Sequence, residues 1–149
     1  MMAYFLRMFL LAYLPTILLA FIASRFLPEF APSYSLADDH SLSLFWRFVG
    51  AAVIVPFIET AILIYPTVVA RTAPSSIAIA AFVGALPIAL LHGLSSVVRP
   101  FIVFWFFFVQ AYAFLTLRND HVPFGRSYMF AFLIHGLSNF VSEMMFVAG

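Results

Sequence analysis

The sequence predicts an all-α membrane protein, a polytopic bundle of about five transmembrane helices forming one integral domain over residues 1–149. Three observations predict it. Hydrophobic residues make up 65% of the chain and charged residues only 9%, and the mean hydropathy is +1.10. Soluble domains carry about 25% charge, and a chain this short keeps too much surface in water to hide so many apolar side chains. The apolar residues fall in runs of about 20, the length that crosses a bilayer as a helix. Those runs are unbroken, whereas a β-barrel shows short alternating strands.

The first run covers roughly Tyr4 to Ser24. It is too long for the apolar region of a signal peptide, and no A-x-A cleavage site follows it, so a retained helix is expected. The second, roughly Leu44 to Ala70, is long enough to tilt, and Pro56 and Pro66 predict kinks in it. Trp46 near its start suits an interfacial anchor. The third run is roughly Ser76 to Val98, the fourth Phe101 to Leu117 and the fifth Ser127 to Val147. In the fourth, the phenylalanine-rich stretch 101–114 suits lipid-facing bulk or the wall of a lipid groove. Gln110 suits interhelical glue. Residues 25–43, with Pro28, Pro32, Asp38, Asp39 and His40, read as the one polar extramembrane loop of any length.

The charges are seven Arg, no Lys and six acidic residues. They make no basic stripe for nucleic acid. With no Cys, thiolate catalysis, cysteine metal sites and disulfides are excluded. Five spans put Arg7, Arg71, Arg118 and Arg126 on one side and Arg25, Arg47 and Arg99 on the other. That gives a slight preference for a cytoplasmic N-terminus. Oligomeric state is left open.

The informative residues are the polar ones inside the apolar runs. Glu59 sits near the middle of the second, where a charged side chain costs about 2.5–3.5 kcal/mol on insertion scales. Such a residue faces the bundle interior and has a partner. His92 lies late in the third run and His135 midway along the fifth, in the similar segments LLHGLSS and LIHGLSN. Gly93 and Gly136 permit close helix approach. His135, Asn139 and Glu143 share one helical face, as do His92 and Ser96. Glu143 is expected as a solvated residue near the helix end. Residues equidistant from a hairpin turn lie level, so Glu59 and His92 should match in depth. His135 should lie about 5 Å away at 1.5 Å per residue.

A buried Glu and a His with water between them form a general-base pair. A second His and an Asn can donate hydrogen bonds to a developing oxyanion. Neither G-x-S-x-G nor H-E-x-x-H is present. Three other readings stay open: a haem or metal site on His92, His135 and Glu59, a proton relay or transporter, and a single structural hydrogen bond from a protonated Glu59.

Pro56-Phe57-Ile58-Glu59, Ala89-Leu90-Leu91-His92 and His135-Gly136-Leu137-Ser138-Asn139 together resemble the CAAX-protease and bacteriocin-processing family. Its pattern is E-E-x-x-x-R, F-x-x-x-H and H-x-x-x-N on successive membrane helices. The resemblance covers about residues 50–142 of a chain short for that family. It implies an intramembrane, metal-independent endopeptidase without cofactors, in a prokaryotic cytoplasmic membrane. Glu59 and His92 would activate water, and His135 and Asn139 would stabilise the oxyanion. The partners implied are membrane lipid and a peptide or lipidated-protein substrate. Thr60, Ile64 and Ile88 stand where the pattern has Glu, Arg and Phe. An inactive relative with a binding, immunity or scaffold role is the alternative.

Overall fold

The computed structural model describes residues 1–27 and 43–148, and all regular structure among them is helical. The polar segment with Pro28, Pro32, Asp38, Asp39 and His40 lies outside the described residues. Five helices follow one another: α1 (Met2–Phe26), α2 (Leu44–Thr72), α3 (Ile77–His92), α4 (Arg99–Asn119) and α5 (Phe124–Ala148). α1, α2 and α4 are long and apolar enough to cross a membrane. Large apolar side chains such as Leu14, Phe21, Phe57 and Phe101 point outward, an arrangement stable against lipid and costly against water.

α4 is the central helix. More than half of its apolar window is buried, 56% against 17% for α1 and 28% for α2. The phenylalanine-rich stretch is therefore largely core, with Phe106, Phe107 and Phe114 buried, while Phe101 remains outside. Gln110 is fully buried, yet neither amide atom has a hydrogen-bonding partner. It is not the interhelical glue that its position suggests.

α3 packs through a stripe of small residues (Ala80, Ala81, Gly84, Ala85 and Ala89), which lets backbones approach closely. The closest approach is to α2. A Cβ on Gly84 would overlap the Thr67 hydroxyl and lie 2.7 Å from Thr67 Cα. Thr67 cannot yield easily, because its hydroxyl donates to Leu63 O at 2.7 Å. Gly84→Ala is expected to push α2 and α3 apart at a cost of about 1–3 kcal/mol, read as a lower melting temperature in detergent. An unchanged melting temperature would contradict this packing.

α3 begins where Ser76 caps it, its hydroxyl accepting from Ile79 N at 3.2 Å. It ends at His92, six residues before the expected Val98. Gly93, Ser95 and Ser96 favour a turn, and Pro100 packs on Gly93, where a Cβ would lie 3.0 Å from Pro100 Cγ. Gly93 thus tightens the α3–α4 turn. Ser96 belongs to that turn and does not continue the His92 face.

α2 winds as a π-helix over Gly50–Ile54 before resuming as α-helix at Val55. Pro56 explains the change. It has no N–H to donate back to Ala52 O in an α turn or to Ala51 O in a π turn. Val55 N instead reaches Gly50 O, and the carbonyls beside it are met by α5.

Candidate functional site

The π turn of α2 and the H-G-L-S-N segment of α5 fit each other. Asn139 Nδ2 donates to Ala51 O at 3.0 Å, supplying the donor that Pro56 lacks. Gly136 backs onto the next carbonyl, where a Cβ would lie 2.5 Å from Ala52 O. The same antiparallel register brings Glu143, four residues on from Asn139, to Arg47, four residues back from Ala51. Arg47 Nη2 and Nε donate to Glu143 Oε1 at 2.7 and 3.1 Å. Both side chains are shielded, 10% and 8% exposed. Glu143 is therefore a buried ion-pair partner and not a solvated helix end. The segment before the π turn is tied to α5 by this pair.

That register places Glu59 between two imidazoles. Glu59 Oε1 lies 3.4 Å from His92 Nε2, and Oε2 lies 3.1 Å from His135 Nε2. His92 Nδ1 meets Ile88 O at 2.9 Å. A carbonyl only accepts, so this nitrogen carries the hydrogen. His135 Nδ1 is buried without a partner, so its hydrogen belongs on Nε2, facing Glu59. Without a further proton, the His92 Nε2 lone pair would face a carboxylate oxygen. The gap between His92 Nε2 and Glu59 Oε1 can therefore take up one further proton, held by either. The tautomers follow from the bonding partners.

The rings are held by aromatic contacts from α4. Phe106 and Phe107 stand edge-on to His135 at centroid distances of 5.3 and 5.5 Å, and Phe107 lies 5.3 Å from His92. Thr60, which follows Glu59, is fully buried, and its hydroxyl has no partner. Ile64, at the arginine position of the resembled pattern, is buried in the core.

Glu59, His92, His135 and Asn139 all line one cavity of about 1270 Å³. Its other wall is α1, through residues such as Tyr13, Thr16 and Ala20. α1 reaches α5 where the Tyr13 hydroxyl meets Ser142 Oγ at 3.3 Å. It is pinned to α4 where Trp105 Nε1 donates to Leu11 O at 2.8 Å. Glu59 is the most open of the three contacting side chains, at 21% exposure against 14% for His92 and 3% for His135.

All four residues singled out in the sequence thus border one space. They are not equivalent there. Glu59 and His92 face the cavity, His135 sits behind Glu59, and Asn139 spends one N–H on the α2 backbone. Arg47 was not singled out as part of the site. Among the described residues, no group of three or more His, Cys, Asp or Glu is arranged to hold a metal ion. Comparison with protein-family models, with curated proteins and with solved structures finds no match.

Proposed function

We propose that the protein is an intramembrane endopeptidase-like hydrolase in which Glu59, backed by His92 and His135, activates water against a peptide bond. The observation that carries this reading is the Glu59 carboxylate, held between two imidazoles at the wall of a large cavity. A water on the cavity side of Glu59 gives its proton to the shared Glu59–His92 position as its oxygen attacks the carbonyl carbon. That proton passes to the departing amine nitrogen as the C–N bond breaks. Water is consumed, and one acid and one amine are formed. Asn139 has a second amide N–H to offer the developing oxyanion. His135 orients Glu59 through Nε2–H. No metal or cofactor enters this scheme. The motif resemblance adds a peptide or lipidated-protein substrate, lipid as the surrounding partner, and a prokaryotic cytoplasmic membrane as the location.

The buried Ile64 and the engaged Asn139 amide favour one competing reading, an inactive relative that binds a membrane peptide. The test is hydrolysis of a quenched-fluorescent peptide library by the purified chain in liposomes. Cleavage that disappears in His92→Ala is expected. A library left intact by the wild-type chain would favour the binding reading, and one cut equally by His92→Ala would remove His92 from the mechanism.

A further inference from the structure

The arginines divide four to three between the two ends of the bundle, which is too even to orient the chain. The structure changes that count. At the end formed by the start of α1, the α2–α3 turn and the α4–α5 turn, Arg7, Arg71, Arg118 and Arg126 are all exposed. Arg7 lies inside α1, but helical side chains lean towards the N-terminus and long cationic ones reach the interface. At the other end only Arg25 is exposed. Arg47 is neutralised in its ion pair with Glu143. Arg99 is half-buried in the cavity wall, with Nη1 on Ser95 Oγ at 3.2 Å. Arg47 is thus withdrawn from the aqueous phase and Arg99 partly so, and the exposed arginines divide four to one.

The cavity is equally one-sided. Its walls are the second half of α1, the first half of α2, the end of α3, the start of α4 and the second half of α5. These segments all belong to the arginine-poor half. His92 is the last residue of α3, and that helix, at 16 residues and about 24 Å, is shorter than the roughly 30 Å hydrocarbon core. The following turn, with Leu94 88% and Val97 70% exposed, lies at the cavity rim.

From these two asymmetries we infer that the arginine-rich end is cytoplasmic and that the Glu59–His92 cavity opens on the opposite, non-cytoplasmic side. The positive-inside rule supplies the sign. If the cavity hydrolyses peptides, which rests on the function proposed above, its substrates are segments presented from that side: exported peptides or the outer flanks of membrane-anchored chains.

The sidedness is testable without any substrate. The chain has no Cys, so one introduced thiol is the only target for a maleimide. Leu94→Cys marks the cavity end and Ala73→Cys the arginine-rich end, and Val97→Cys is a second marker in the Leu94 turn. The full chain is expressed in bacteria and treated with a membrane-impermeant maleimide. Leu94→Cys or Val97→Cys should label in intact cells as fully as after permeabilisation, and Ala73→Cys only after it. Labelling of Ala73→Cys in intact cells overturns the inference, as does failure of both turn thiols to label there. Reversed labelling with cleavage still lost in Glu59→Gln would remove the sidedness and leave the hydrolase. Expected labelling with cleavage retained in Glu59→Gln would do the opposite.

Discussion

Arg47→Ala is expected to destabilise the bundle by about 3–5 kcal/mol, the cost of stranding a buried charge. Glu143 is 8% exposed and takes both Arg47 donors on one oxygen. Removing the guanidinium leaves its carboxylate in a shielded cavity wall with no cation to meet it. The loss should spread to the π turn, because the Arg47–Glu143 and Ala51–Asn139 contacts lie one helical turn apart on the same α2–α5 seam. Replacing both partners with Met should restore most of the stability, since a buried ion pair adds little beyond well-packed apolar groups. Denaturant unfolding in detergent measures both. A single variant as stable as wild type would mean that water reaches Glu143 and the pair is a surface contact.

Glu59→Gln is expected to lower peptide hydrolysis by about 100- to 10,000-fold, the range for removing a positioned general base. The substitution keeps size and one acceptor oxygen, so packing against both histidines survives. What disappears is the second oxygen and its capacity to take a proton. Gln also places an amide N–H₂ against one ring nitrogen. Against His92 Nε2, which lacks its own hydrogen when neutral, that contact is favourable. The variant should therefore fold as well as wild type while losing turnover, which separates a catalytic Glu59 from a merely structural one.

Much of the fold is legible in the sequence because lipid imposes a simple rule. Each of the five apolar runs becomes one helix, and the hairpin count that sets Glu59 level with His92 survives in their 3.4 Å contact. The π turn is foreshadowed by Pro56, and Gly136 by its place beside His135. The rest depends on facts that periodicity does not carry. α3 stops at His92 because Gly93 and Pro100 pack on each other across the turn. Hydropathy runs through that turn, since Leu94, Val97 and Val98 are apolar. The Arg47–Glu143 pair joins residues 96 apart. Only the α2–α5 register reveals it, and no motif contains Arg47. The phenylalanines of α4 carry no helical stripe because lipid and core are equally apolar. Composition alone therefore cannot tell which of them face inward.

The most direct measurement is the rate at which wild-type and Glu59→Gln chains, reconstituted in parallel and matched for melting temperature, hydrolyse the same library peptide. Turnover by the wild type and a loss of at least about 100-fold in the variant are expected. Equal rates in two equally folded chains would contradict a catalytic Glu59, which would then be a packing residue between two histidines.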